Sequence, residues 1–90
     1  MVTVVLSRNV DLIIEKAIAL DNEVEKKVFN LSPVQIRAKL RESKRLKRTA
    51  LKIDDLKASR LLYINNYGNE PLEEILPLLA VRFKKILNVD

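Results

Sequence analysis

The chain has 90 residues, 48% hydrophobic and 32% charged, with a formal net charge of +5 and neither cysteine nor histidine. This is the composition of one small folded domain, read here as spanning 1–90, and such a chain buries only about 60% of its unfolded surface, so its core is thin. Without cysteine there are no disulfides, thiolate zinc sites or cysteine nucleophiles, and without histidine the usual general base and the commonest metal ligand are missing. A non-enzymatic protein with no catalytic residue, metal or cofactor is the expectation.

Taken in chain order, "VTVVL" at 2–6 is β-branched and short, and reads as a strand or an extended arm. The start lacks the basic region and apolar length of a signal peptide, and the longest apolar run, "ILPLLAV" at 75–81, is too short for a bilayer. A protein of the cytoplasm, nucleoid or nucleus with no membrane contact is expected.

Ser7 or Asn9 is placed to cap a first helix, with Val10, Ile13, Ile14, Ala17, Val24 and Val28 at helical spacing. The spacing carries this helix to about Phe29, with a break near Asp21 and Asn22, which also favour turns. "NLSPVQ" then holds the clearest helix start in the chain: Ser32 as the cap and Pro33 at the first helical position, where its missing N–H costs nothing. The inward stripe of this second helix is Ile36, Leu40, Ser43, Leu46 and Ala50, and its end falls near Thr49 to Lys52.

A third helix opens at Asp54 or Asp55, whose carboxylates suit the positive end of the helix dipole, and closes at "NNYG" with Gly68 as the left-handed residue. The last helical segment starts around Asn69 to Pro71, with Leu72, Ile75, Leu76, Leu79, Phe83 and Ile86 as its apolar stripe. Pro77 interrupts this pattern and predicts a kink or a second short helix beginning there. The fold class expected is mainly all-α: a compact bundle of about four helices with a short N-terminal strand or arm.

The positive charge is concentrated. Residues 1–30 carry four basic and five acidic side chains (4 − 5 = −1), residues 31–60 ten and three (+7), and residues 61–90 three and four (−1). At 100° per residue, Arg37, Arg41, Lys44, Arg45, Arg48 and Lys52 fall within a sector of about 100° on the second helix, while Lys39 and Lys47 project elsewhere. An ordinary solvated face alternates the two signs and pairs them at i, i+4. This face does not, and contacts from all six cations to phosphates would give a log–log salt slope of roughly −5. Three readings of it stay open: a nucleic-acid surface, a dock for an acidic protein, and a plain solvated face. No Asn or Gln lies on it to read bases.

Other constellations have plainer explanations. "DNEVE" at 21–25 spaces carboxylates like a calcium loop, but Lys26 stands where the loop needs glycine and Ser32 where it needs glutamate. Asp54 with Asp55 and Glu73 with Glu74 are helix-start chemistry. The serines have no histidine to activate them, and a single glycine excludes the usual phosphate-cradling loops. Tyr63 and Tyr67 share a helical side, where packing beside the terminal helix competes with base stacking.

Three short stretches resemble known families. "VTVVLS", a helix and "LSPVQIRAKLRE" resemble the order of ribbon-helix-helix repressors, which implies a dimer with paired strands in the major groove. "KRTALKIDDLKA" is similar to the junction between the middle and last helices of a histone fold. "LLAVRFKKILNVD" is similar to the end of the helical domain of GINS-type replication subunits, with Arg82, Lys85 and Ile86 matching an Arg-x-x-Lys-Ile pattern. None is specific enough to assign a family; two imply work beside DNA and the third a place in a DNA replication complex. The expected function is accordingly nucleic-acid binding, with DNA in preference to RNA, through the six-cation face by an accessory or regulatory factor; a homodimer is one assembly that suits it. The alternative is a protein–protein interaction subunit of a larger replication or transcription complex.

Overall fold

The computed structural model describes residues 9–89, which form four helices: α1 (Val10–Lys26), α2 (Pro33–Ile53), α3 (Asp55–Tyr67) and α4 (Leu76–Ile86). No strand occurs among the described residues, and the arm expected at 2–6 lies outside them. The ends of the helices follow the capping chemistry of the sequence. Asn9 Oδ1 accepts the Leu12 N–H at 3.3 Å and opens α1. At α2, Ser32 Oγ accepts the Gln35 N–H while Gln35 Oε1 accepts the Ser32 N–H, a reciprocal box in front of Pro33.

Asp54 is the only residue between α2 and α3. Its N–H closes α2 on the Ala50 carbonyl at 3.0 Å, and its side chain opens α3 by accepting the Lys57 N–H at 3.2 Å. One residue thus turns the chain through a corner, because its extended backbone (φ −153°, ψ 92°) fits both the end of one helix and the start of the next. Gly68 ends α3 in the left-handed conformation at φ 79°.

α1 and α2 form an antiparallel hairpin in which Ala17 lies against Ser43 and Glu23 against Lys39. The core sits where this hairpin meets α3 and the chain end: Val10, Ile14, Ala50, Leu51, Ala58, Leu62 and Leu87 pack together, with Ile13, Ile18, Leu61, Phe83 and Val89 around them. α4 lies on α3, tied at one end by a 2.6 Å ion pair from Lys84 to Asp55.

Three expectations are corrected. α1 runs unbroken through Asp21 and Asn22, because Asp21 is held by Lys47 of α2 and the helix is anchored on both sides by buried Ala17 and Val24. It ends at Lys26, so Val28 and Phe29 leave the apolar stripe and stand exposed in the turn. The buried line of α4 is Leu76, Ala80 and Leu87 with Phe83 half-buried, while Leu72 and Ile86 face outward. Glu73–Ile75 form a 3₁₀ turn and α4 opens at Leu76 with Pro77 in its first turn, which rotates the later residues relative to a single straight helix.

Candidate nucleic-acid interface

α2 carries eight cations between Arg37 and Lys52, and the neighbouring elements divide them into groups. Lys39 and Lys47 point toward α1, where Glu23 and Asp21 meet them at 3.1 and 2.6 Å. Arg45 lies on the opposite flank in a two-pronged pair with Glu42, Nε to Oε1 at 2.8 Å and Nη2 to Oε2 at 2.6 Å. That pairing holds the Glu42 carboxyl below its ordinary pKa, chiefly through the hydrogen bond from the guanidinium, and raises the pKa of Arg45 by the same bond. Both groups are solvated, so the pair adds little stability, but it neutralises Arg45 as a docking charge.

Arg37, Arg41, Lys44 and Arg48 have no carboxylate partner among the described residues. All four line one open groove of about 580 Å³, joined there by Lys47. Among the described residues Asp21 is the only carboxylate in the lining, which leaves five cations against one. The spacing of the four free cations, four, three and four residues, keeps them on one side of α2 over about 16 Å of helix. Lys52 lies beyond the groove, exposed at the last turn of α2.

The groove also has an apolar component. Leu40 remains 44% exposed although it falls in the expected inward stripe, and it lines the groove with Leu87, the buried residue just past α4. Ser43 closes the base, its hydroxyl already spent on the Ala17 carbonyl at 3.1 Å. The remaining apolar surface comes from the aliphatic stems of the arginines and lysines, which carry charge at the tip and hydrocarbon below it.

No family model, curated protein or solved structure matches the chain. The site therefore stands on its geometry. Of the six cations predicted from sequence, the structure brings Arg37, Arg41, Lys44 and Arg48 together and leaves Arg45 and Lys52 outside. Lys47, placed elsewhere by its helical angle, joins them because its long side chain reaches across to Asp21. Leu40 had no signal in the sequence, since it read as an ordinary core position, and Leu87 lay outside the expected apolar stripe. Tyr63 and Tyr67 stand away from the groove and pack against each other, ring centroids 4.6 Å apart and planes tilted by 43°.

In "DNEVE" the three carboxylates are helical and two of them are directed at lysines: Asp21 meets Lys47, while Glu23 meets Lys39 and, at 3.9 Å, Lys27; Glu25 is exposed. Among the described residues no helix is long and apolar enough to cross a membrane.

Proposed function

We propose that the protein is a non-enzymatic nucleic-acid-binding factor whose α2 groove holds the phosphate backbone. The observation that carries this reading is the set of four cations, Arg37, Arg41, Lys44 and Arg48, unpaired among the described residues and lining one open groove where Asp21 is the one described carboxylate. Converging unpaired cations raise the local potential and concentrate polyanions, and guanidinium groups match phosphate oxygens with two parallel hydrogen bonds. Four phosphate contacts in place of six lower the expected salt slope to between about −3 and −4, depending on whether the ligand is a single strand or a duplex.

The test is fluorescence anisotropy of labelled oligonucleotides across a salt series. The wild type should bind at low salt with that slope. An Arg41→Gln, Lys44→Gln, Arg48→Gln variant should lose nearly all affinity, and Arg45→Gln should lose little, because Glu42 already occupies that charge. Absence of wild-type binding at low salt, or an Arg45→Gln loss as large as the triple variant's, would overturn the assignment.

A second reading, an interaction subunit of a larger assembly, draws on the outer face of α4. There Leu78 and Val81, 71% and 66% exposed, stand at helical spacing beside exposed Arg82 and Lys85. Under that reading Val81→Asp, a change that leaves the core untouched, abolishes capture of a partner, whereas the α2 triple variant retains it.

A further inference from the structure

We propose that the α2 groove takes a single strand of nucleic acid in preference to a duplex. This rests on the nucleic-acid reading above and deepens it by naming the form of the ligand. Two observations carry it: the form of the groove and the chemistry of its lining.

Arg37, Arg41 and Lys44 are exposed around one open groove on α2, and Asp21 of α1, paired with Lys47, stands on its far side.

The groove, about 580 Å³ and open to solvent, has room for one or two nucleotide units of a flexible strand. A duplex carries its phosphates on a stiff convex surface, whereas a flexible strand can bend to follow the cations along α2.

The lining separates the two moieties of a nucleotide. Arg37, Arg41, Lys44 and Arg48 supply charge for phosphates, and Leu40, 44% exposed, supplies hydrocarbon that a solvated phosphate backbone does not need. An unpaired base has an apolar face to bury there, whereas in a duplex those faces are already stacked on each other. No aromatic side chain lines the groove, so the base contact is aliphatic, weaker than ring stacking and without base preference. The expected ligand is thus an unstructured strand of any sequence.

The experiment compares unstructured oligo-dT with a duplex of equal length, binding to the full chain at matched ionic strength, for wild type, Leu40→Ala and Leu40→Trp. Position 40 is half-exposed, so all three proteins should keep the same helical circular dichroism. The chain has no tryptophan, so Leu40→Trp places a single indole in the groove.

The expected result is oligo-dT binding at least about tenfold tighter than the duplex. Leu40→Ala should weaken oligo-dT alone, without changing its salt slope, and the indole of Leu40→Trp should be quenched by oligo-dT and not by duplex. Duplex binding equal to or tighter than oligo-dT binding, or oligo-dT affinity unchanged in Leu40→Ala, overturns the single-strand proposal while the nucleic-acid reading stands. If neither ligand binds at low salt, both fall.

Discussion

Ser43 Oγ donates a 3.1 Å hydrogen bond to the carbonyl oxygen of Ala17, and neither residue is measurably open to solvent, at 1% and 0% exposure. Two small side chains at this crossing let α1 and α2 approach closely, and the hydroxyl adds a polar link between two helix backbones. The approach sets the groove, because Ser43 forms its base and Lys47, one turn further along, reaches Asp21 from there. A chain of this length has little other core with which to hold two helices in register.

Truncating that hydroxyl isolates the polar link from the packing. The Ala17 carbonyl retains its bond within α1, so Ser43→Ala should cost only about 1 kcal/mol, while Ser43→Leu overpacks the crossing and should cost about 1–3 kcal/mol. Urea denaturation checks both, read as the shift in midpoint at constant slope. An equal cost for the two substitutions would show that the crossing is looser than its burial indicates.

Ser59 on α3 predicts the opposite sign. It is also fully buried, but its hydroxyl has no hydrogen-bond partner among the described residues. Ser59→Ala removes a desolvated polar group and breaks no bond, so stability should stay level or rise by up to about 1 kcal/mol. Thermal melts of the two serine-to-alanine variants side by side should move in different directions.

Gly68 is the residue at which the end of α3 depends on backbone freedom. Its φ of 79° is open to glycine and strained for other residues, and a β-carbon there would meet no atom within 4 Å. The cost of Gly68→Ala is therefore purely conformational, about 1 kcal/mol, and Gly68→Asn should recover part of it because asparagine tolerates the left-handed region. Denaturation midpoints ordered wild type, Asn, Ala are the expected outcome.

The 2.6 Å pair between Asp55 and Lys84 makes part of the stability acid-labile. The Asp55 carboxyl is held below its ordinary pKa, first by the hydrogen bond from Lys84, with the lysine charge and backbone N–H groups adding to it and partial burial opposing. A depressed folded-state value contributes stability that is fully present above the ordinary aspartate range and is lost as pH falls through the folded value. Melting temperatures followed from neutral pH to strongly acidic conditions should fall less steeply for Asp55→Asn than for wild type, and the two curves should converge at the acid end.

Asp21 opposes the four free cations, and its removal tests whether charge governs binding. Asp21→Asn frees Lys47 in the groove, so oligonucleotide affinity should rise several-fold at low salt and the salt slope should steepen by about 0.7–0.9. Lys47→Gln should shift the slope little, since Lys47 is already neutralised by Asp21. Anisotropy titrations over the salt series measure both, and a loss of affinity in Asp21→Asn would assign the carboxylate a structural role at the hairpin.

Local chemistry was legible in the sequence wherever a residue acts on its own neighbours. Ser32 with Pro33, Asp54 and Gly68 mark helix ends because capping is a bond between residues three or four apart, and the structure bears out each of them. The helical bundle and the gathering of cations on α2 follow from periodicity, which is likewise a local property. The free cations were decided at two levels: Glu42 takes Arg45 out of the set through a pairing three residues apart on the same helix, whereas only the packing of α1 on α2 brings Lys47, outside the sector, into the groove beside Asp21. The rotation of α4 and the partial exposure of Leu40 are of the same kind, since one stripe of apolar residues fits several rotations and the partner surface selects among them. Long flexible side chains and thin cores make such selections depend on the whole packing, whereas a cap or a left-handed glycine depends on one turn of chain.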